Sequence, residues 1–188
     1  MKFDINQNLS LELLAPYHAH EIFILVNNNR EYLRQWLPWL DMTRVEADVL
    51  RFIATASAQY KEGCGSQFVI LHKEQANSKA NICGIAGFHK IEKLHHVGAI
   101  GYWLDQSHNG QGIMTAVVEQ LINVGFEQYA LNRIEISCAV NNNKSRAIPQ
   151  RLGFTCEATL RQCEWLYDHY VDHAVYSMLA SDHLQARL

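Results

Sequence analysis

The chain has 188 residues, of which 48% are hydrophobic and 19% are charged, enough for one substantial core and too few for two comfortable domains. Its formal net charge is −3 and its Lys and Arg residues are scattered singly, which argues against a nucleic-acid-binding surface. No stretch reaches the roughly 20 apolar residues that cross a bilayer, and residues 1–6 lack the features of a signal peptide. We therefore expect a single cytoplasmic domain over 1–188, with no membrane partner.

Cysteine and histidine usage argues against a disulfide framework or a metal site. The five cysteines are an odd number without Cys-x-x-Cys spacing, so we expect reduced and mostly buried thiols. Only two of the ten histidines, His169 and His173, lie four residues apart, and their segment has the composition of a strand. We expect these histidines to be ordinary surface or half-buried side chains.

The N-terminal third combines one extended segment with two helical segments. Residues 3–14 alternate loosely in hydrophobicity and predict a strand, whereas 17–39 and 45–61 carry apolar residues at helical spacing. Pro38 and the glycine-rich segment 62–65 interrupt these helices. The apolar helical faces would pack on the sheet, and they are also compatible with a homodimer.

Three β-rich runs follow, at 67–71, 81–91 and 97–104. The polar segments between them, 73–79 and 92–96, suit hairpin turns. This part of the sequence predicts an antiparallel meander.

The remainder alternates helices with strands. A glycine turn at 109–112 opens a helix with one broad apolar face, and a strand follows at 133–140. A short helix at 144–152 precedes two more strands, 154–166 and 170–179. This order predicts a mixed α/β domain in which one crossover makes two neighbouring strands parallel and leaves a cleft at their ends.

The turn Asn109-Gly110-Gln111-Gly112 is a candidate anion site. The first turn of a helix has unpaired N–H groups and the positive end of the helix dipole, and glycine allows a pyrophosphate to approach the backbone. A tight connection without a ligand would explain a lone Gly-x-Gly turn equally well. Neither the Walker A lysine nor the Rossmann G-x-G-x-x-G pattern is present, so those nucleotide sites are excluded.

A second motif begins at Asn142-Asn143-Lys144-Ser145 and ends at Leu152-Gly153-Phe154. Its pattern predicts a helix capped by Asn142 or Asn143 and stopped by Gly153. With the glycine turn, this motif resembles the GNAT acetyltransferase superfamily over residues 66–179.

Within this superfamily, the sequence most resembles the Rim-type ribosomal-protein N-terminal acetyltransferases, and especially the RimL-like group. The segments that carry it are Arg34–Trp39, Gly84–Gly87, Ile100–Leu104 and Gly110–Thr115. The glycine turn departs from the superfamily's Gln/Arg-x-x-Gly-x-Gly/Ala at Asn109 and Met114. Because backbone groups make the phosphate contacts, we expect cofactor binding to survive these changes.

The resemblance implies a GNAT fold, with a mostly antiparallel sheet of about seven strands, helices on both faces and a parallel strand pair that splays at an acetyl-CoA cleft. It implies acetyl-CoA as cosubstrate and no metal, with a backbone N–H near Trp103 or Leu104 stabilising the oxyanion. The residues expected to hold the cofactor are Trp103, Leu104, Asn109, Gly110, Gln111, Gly112, Ile113, Met114, Thr115, Asn142 and Ser145.

Transfer to an amine also needs a base that accepts the ammonium proton. We expect Glu164, in a RimL-like Cys163–Leu166 segment, to be this base, with Glu157 as its rival. A solvated strand position, or a structural ion pair with Arg133 or Arg161, is the alternative interpretation of Glu164.

The leaving thiolate needs stabilisation, and the resemblance places Ser145 beside the coenzyme sulfur. Its hydroxyl would donate to the developing thiolate, unless it only caps or packs the short helix. A covalent route through Cys138, Cys156 or Cys163 is disfavoured because none has an evident histidine activator.

The resemblance implies direct transfer, in a ternary complex, to the N-terminal α-amino group of a protein, specifically the ribosomal stalk protein. Trp36 and Trp39 are the expected substrate-binding residues, although tryptophans more often pack in a core.

Two other functions fit the same motifs. A small-amine acetyltransferase would act on an amino acid, polyamine or aminoglycoside, and its acidic pocket could draw on Glu31, Asp41, Glu46 and Asp48. A non-catalytic acyl-CoA sensor would keep the glycine turn but lose the acid and base groups, so the presence of both Ser145 and Glu164 argues against it.

Overall fold

The structure is a computed structural model that describes residues 1–75 and 78–185. Its strands are β1 (Lys2–Asp4), β2 (Leu9–Leu13), β3 (Ser66–His72), β4 (Asn81–Glu92), β5 (Val97–Leu104), β6 (Arg133–Ala139), β7 (Thr155–Leu166) and β8 (His169–Leu179). Its α-helices are α1 (Ala19–Asn28), α2 (Arg30–Arg34), α3 (Glu46–Glu62), α4 (Ile113–Asn123), α5 (Asn143–Arg151) and α6 (Ala180–Gln185). Part of the predicted turn 73–79 and the last three residues of the predicted domain lie outside the described residues.

The eight strands form one sheet in the order β1-β2-β3-β4-β5-β6-β8-β7. Every neighbouring pair is antiparallel except β5 and β6. This arrangement confirms the predicted mixed α/β fold. Among the described residues, no helix is long and apolar enough to span a membrane.

The eighth strand arises because the predicted strand 3–14 is a hairpin. The N–H groups of Ile5 and Asn6 both donate to the carbonyl of Leu9, and the Asn6 side chain accepts from the N–H of Asn8. Asparagine favours such local turns over continuous strand.

The predicted helix 17–39 is likewise divided, into α1 and α2. The break is at Asn29, whose side chain is hydrogen-bonded to the carbonyl of Leu25 and to the N–H of Gln106. The other predicted strands and helices are confirmed to within a few residues, and helix α6 was not predicted.

The parallel pair β5–β6 opens into a gap part-way along its length. Pairing runs from Val97 opposite Arg133 to Ile100 opposite Ile136 and then stops. Both strands continue, β5 as far as Leu104 against β4 and β6 as far as Ala139 against β8. The sheet therefore splays between residues 101–104 and 137–139, as predicted.

Helices cover the two faces of the sheet and bury two apolar clusters. The broad apolar face of α4 packs on one face, where Val117, Val118 and Leu121 are fully buried beside Ile100 and Ile136. Burial of each such side chain contributes about 1.5–3 kcal/mol to the stability of the fold. This packing fixes the position of α4, and therefore of its first turn, next to the gap. On the other face, α1, α2 and α3 cover β3, β4 and the end of β5.

The prediction that the cysteines are mostly buried is wrong. Cys83 and Cys138 are buried and Cys64 is half-buried, but Cys156 and Cys163 are exposed. The last two lie on β7, an edge strand with almost every side chain exposed, which local composition does not reveal.

Candidate active site

The glycine turn between β5 and α4 depends on left-handed backbone conformations. Gly110 has φ +78° and Gly112 has φ +77°. A Cβ at either position would meet no atom within 4 Å, so these glycines serve the backbone conformation and not the packing. Any other residue would cost roughly 1–2 kcal/mol here. The turn therefore leaves open space in front of the first turn of α4.

Side chains of the turn hold its own carbonyl groups. The Asn109 amide donates to the carbonyl of Gln106 at 2.9 Å, and the Gln111 amide donates to the carbonyl of Ser107 at 3.0 Å. These two predicted cofactor residues therefore order the loop. The backbone N–H groups at the start of α4 remain the predicted anion-binding groups.

The N-terminus of α4 suits an anionic ligand. Gly112 caps the helix without a side-chain hydrogen bond, and the first turn has no acidic residue. The predicted cofactor residues Ile113 and Thr115 lie in this turn, where N–H groups carry the positive end of the dipole. Arg151 of α5 donates to the hydroxyl of Thr115 at 2.7 Å and brings a cation to the same place.

Asn29 joins the N-terminal helices to the segment just before the glycine turn. It is only 5% exposed, accepts from the N–H of Gln106 at 2.9 Å and donates to the carbonyl of Leu25 at 2.9 Å. Sequence reasoning missed this residue and Arg151, since both act through partners distant in sequence. A polar residue interrupting an apolar helical pattern was the available signal for Asn29.

The hydrogen-bonding alternation of β5 identifies which N–H groups face the gap. The N–H of Asp105 donates to the carbonyl of Cys83 in β4, and Gly84 lies opposite Leu104. Successive N–H groups of an antiparallel strand point to opposite sides. The N–H of Trp103 therefore also points toward β4, and the N–H of Leu104 points into the gap. Of the two predicted oxyanion donors, Leu104 thus has the suitable direction.

The start of α5 forms the opposite wall of the gap. Asn142 caps this helix by accepting from the N–H of Ser145 at 3.1 Å, which settles the choice between Asn142 and Asn143. The Tyr102 hydroxyl donates to the carbonyl of Ser145 at 3.0 Å and lies 3.3 Å from its hydroxyl. Burial raises the pKa of Tyr102 above its ordinary value, so it remains a hydrogen-bond donor. Sequence analysis gave Tyr102 no role.

These elements enclose a cavity, here called the coenzyme-side cavity. It contains six of the predicted cofactor residues, whereas Gly110, Gln111, Gly112, Ile113 and Thr115 lie beside it on the turn and the helix start. Its lining residues are Tyr32, Leu33, Trp36, Leu37, Tyr102, Trp103, Leu104, Asn109, Met114, Asn142, Lys144, Ser145 and Ile148.

A second cavity, here called the acceptor cavity, has a volume of about 530 Å³ between α1, α3 and the sheet. Trp39 and Trp103 line it with their ring centroids 6.3 Å apart, and Glu164 contributes a carboxylate. Leu37, Tyr102 and Trp103 line both cavities, which therefore meet at the splayed part of β5. The structure thus separates the two predicted substrate-binding tryptophans, because Trp36 lines the coenzyme-side cavity.

The turn between β7 and β8 docks on the segment after α2, beside the acceptor cavity. The Tyr167 hydroxyl donates to the carbonyl of Leu37 at 2.5 Å, and the Arg34 guanidinium lies 3.7 Å from the centre of the Tyr167 ring. Arg34 also makes a bidentate pair with Asp41, with both distances 2.9 Å. These contacts hold β7, and with it Glu164, against the N-terminal helices.

Most of the carboxylates considered for an acidic pocket already have an ion-pair or hydrogen-bond partner within the protein. Asp41 pairs with Arg34, and Glu46 lies 2.8 Å from His20. Asp48 accepts the N–H groups of Arg44 and Val45 at the start of α3, and these bonds lower its pKa. The cavity lining is otherwise largely apolar, which does not favour a polycationic substrate.

Glu164 follows a β-bulge that directs its side chain to the acceptor cavity. The register of β7 against β8 shifts between Leu160 and Glu164, and Gln162 within the bulge has φ +50°. The Glu164 side chain is 27% exposed, and its carboxylate lies 3.1 Å from Nε2 of His173. Bulges commonly re-aim a side chain at an active site.

Glu157, the rival base, is held in an ion pair away from both cavities. Arg133 donates to its two oxygens at 2.8 and 2.5 Å, and the Ser177 hydroxyl donates at 2.6 Å. The bonds from Arg133 and then Ser177 lower the pKa of Glu157 to about 2. A carboxylate with so low a pKa is a weak base. The structural ion pair considered for Glu164 with Arg133 is thus made by Glu157.

His169 and His173, the candidate metal pair, have carboxylate partners. His169 lies 2.6 Å from Asp168, and His173 contacts Glu164. Within residues 1–75 and 78–185, no three His, Cys, Asp or Glu side chains form a group that could hold a metal.

Comparison with known proteins decides the family. The family model described as an acetyltransferase (GNAT) domain matches residues 8–155, which is most of the chain and includes the glycine turn and Ser145. The chain belongs to the GNAT acetyltransferase family. The predicted family and the predicted enzyme class, an N-acetyltransferase, are both confirmed.

Individual relatives agree with this assignment. The chain is 30% identical over 175 residues to the ribosomal-protein-serine acetyltransferase of Escherichia coli (strain K12), covering 93% of this chain and 94% of that one. A solved structure of RimL, a ribosomal L7/L12 alpha-N-protein acetyltransferase in complex with coenzyme A, superimposes with TM-score 0.90 and 25% identity, covering 97% and 99% of the two chains. The microcin C7 self-immunity acetyltransferase MccE, in complex with acetyl-CoA and AMP, gives TM-score 0.85 and 26% identity over 93% and 94%.

Proposed function

We propose that this GNAT enzyme transfers an acetyl group from acetyl-CoA to the α-amino group of a protein N-terminus, that of a ribosomal protein such as the stalk protein. The observation that carries the proposal is the meeting of the coenzyme-side and acceptor cavities at Tyr102 and Trp103. Two reactants held in separate cavities that join at one point suit direct transfer in a ternary complex. The names of the relatives support the choice of acceptor.

Acetyl-CoA fits the coenzyme side in charge and shape. The unhindered turn at Gly110 and Gly112 would receive the pyrophosphate on the N–H groups of α4, with Arg151 beside it. The pantetheine arm would lie in the gap between β5 and β6, where unpaired strand edges can bond to its amides. The thioester would then reach the junction near Leu104 and Ser145.

Glu164 is the proposed base. The incoming ammonium gives one proton to the Glu164 carboxylate, and the neutral nitrogen attacks the thioester carbon. The N–H of Leu104 stabilises the oxyanion, because it points into the gap. As the new C–N bond forms and the C–S bond breaks, the second proton of the nitrogen passes to the sulfur through Ser145, and the proton held by Glu164 is released to solvent. The products are the acetylated amine and the free thiol of coenzyme A, with one proton released overall.

A second candidate acceptor is a small amine attached to a planar aromatic group. The acceptor cavity favours it by its size and by the indole pair Trp39 and Trp103, since aromatic rings stack on one another. The MccE relative is described in complex with AMP, a molecule with a planar base. The occupied carboxylates Asp41, Glu46 and Asp48 make polyamines and aminoglycosides poorer candidates.

The test is thiol release from acetyl-CoA, with mass spectrometry of the products. The acceptors are a ribosomal stalk protein, the same protein with a blocked α-amine, an aminoacyl-nucleotide analogue, spermine and an aminoglycoside. Acetylation of only the unblocked stalk protein supports the first candidate, and turnover of the nucleotide analogue alone supports the second. Binding of acetyl-CoA without turnover of any acceptor would overturn both in favour of a sensor.

A further inference from the structure

Three polar side chains form a row across strands β7, β8 and β6 next to the acceptor cavity. Nε2 of His173 lies 3.1 Å from the Glu164 carboxylate, and Nδ1 of the same ring lies 3.2 Å from the Ser137 hydroxyl. Of these three side chains, the proposed acetyl transfer uses only Glu164, and it gives His173 and Ser137 no role.

Strand register places these side chains on one face of the sheet. Glu164 lies opposite Val171 and Ser137 lies opposite Val175, each two residues from His173 along β8. Side chains two residues apart on a strand share a face, so His173 stands between the other two. The row ends at Ser137, which is exposed, whereas the His173 side chain is 17% exposed.

We infer that His173 is a positioning residue for Glu164, an inference that rests on the proposed role of Glu164 as base. Nε2–H donates to the carboxylate, and the Ser137 hydroxyl donates to Nδ1, which fixes that tautomer. The carboxylate keeps one oxygen bonded to the ring and turns the other toward the ammonium.

The bulge in β7 explains why such a partner is needed. Residues 161–163 leave the regular ladder, and the bulge is tied to β8 through the Gln162 N–H and the Asp172 carboxylate at 2.8 Å. A base that follows an irregular segment on an edge strand has little packing to fix its rotamer. Misplacement of a catalytic group by about 1 Å can cost about a hundredfold in rate.

The experiment compares kcat and KM of the single variants His173→Ala, His173→Gln, Ser137→Ala and Glu164→Gln. It also includes the double variant that combines His173→Ala with Glu164→Gln. We expect His173→Ala to lower kcat by roughly ten- to a hundredfold, as a misplaced base would, with KM for acetyl-CoA unchanged. His173→Gln keeps an N–H near the Nε2 position and should recover most of that loss. His169→Ala is the matched control, since His169 lies on the same strand and pairs with Asp168.

Combining His173→Ala with Glu164→Gln separates the inference from the proposed function. If His173 acts through Glu164, the double variant is no slower than Glu164→Gln alone. Normal kcat in Glu164→Gln would reject the proposed base itself. A slow Glu164→Gln with unchanged kcat in His173→Ala, or a loss in His173→Ala that His173→Gln does not recover, would reject the inference alone. Thermal melting of each variant identifies a loss caused by unfolding.

Discussion

The Tyr102 hydroxyl bridges β5 and α5 by donating to the main-chain carbonyl of Ser145 at 3.0 Å. One phenol thus holds the two walls of the coenzyme-side cavity at a fixed separation. Burial raises its pKa above the ordinary value, so the phenol stays protonated and donates at neutral pH.

Replacing Tyr102 with Phe should raise KM for acetyl-CoA by roughly fivefold, the equivalent of one lost hydrogen bond of about 1 kcal/mol. Ser145→Ala leaves the main-chain bond in place and removes only the hydroxyl, so it should lower kcat with little change in KM. Steady-state kinetics on both variants checks the division. Equal effects of both variants on kcat and KM would contradict it.

Gly112→Ala should weaken acetyl-CoA binding by roughly tenfold, because the left-handed conformation costs other residues about 1–2 kcal/mol and the loop would rearrange. Gly153→Ala is the matched control. Gly153 has φ +81° and a Cβ there would meet no atom within 4 Å, so the substitution introduces the same strain after α5. Isothermal titration and thermal melting should show similar losses of stability but a loss of affinity only in Gly112→Ala. Equal affinities would disprove a role of the turn in cofactor binding.

Glu157→Gln should lower the free energy of unfolding at neutral pH by about 1 kcal/mol, near the upper end for partly exposed ion pairs. The folded-state pKa of about 2 lies below the ordinary 4.5, so the wild-type advantage is present above about pH 5 and disappears as the pH falls toward 2. Urea unfolding at a series of pH values measures this.

Glu164→Gln, on the same strand, is the control for that experiment. It should lose activity but keep the free energy of unfolding of the wild type. If Glu157→Gln abolished turnover while the protein remained folded, Glu157 would be the base after all.

Cys138→Ala should remain active and release thiol only when an amine is present. Burial raises the pKa of the Cys138 thiol, which leaves it protonated and a poor nucleophile. Incubation with radiolabelled acetyl-CoA in the absence of amine should leave no label on the protein. Stable labelling that disappears in Cys138→Ala, but not in the exposed-site variant Cys163→Ala, would establish the covalent route instead.

Local patterns predicted the elements of this fold well, since periodicity, turn chemistry and caps are determined by neighbouring residues. Asn142 at the start of α5 and the glycines at 110 and 112 are examples. The edge position of β7 was not predictable, because strand order depends on contacts between distant segments. The wrong expectation about Cys156 and Cys163 follows from that.

The sequence predicted the motifs of the candidate site but not the contacts between its separate segments. Trp36 and Trp39 are close in sequence, yet they line different cavities, because the chain passes through turns at 35–36 and 38–39. Asn29 and His173 act through partners 77 and 9 residues away, and single-segment patterns carry no information about such pairs. Asn109, where the turn departs from the family pattern, makes a hydrogen bond within the loop, to the carbonyl of Gln106.

The shared wall of Leu37, Tyr102 and Trp103 has a consequence for inhibition. A single molecule in which coenzyme A is joined through a short linker to an acceptor α-amine could occupy both cavities at once. Its two halves would each raise the local concentration of the other, so its affinity should exceed that of either half by several orders of magnitude.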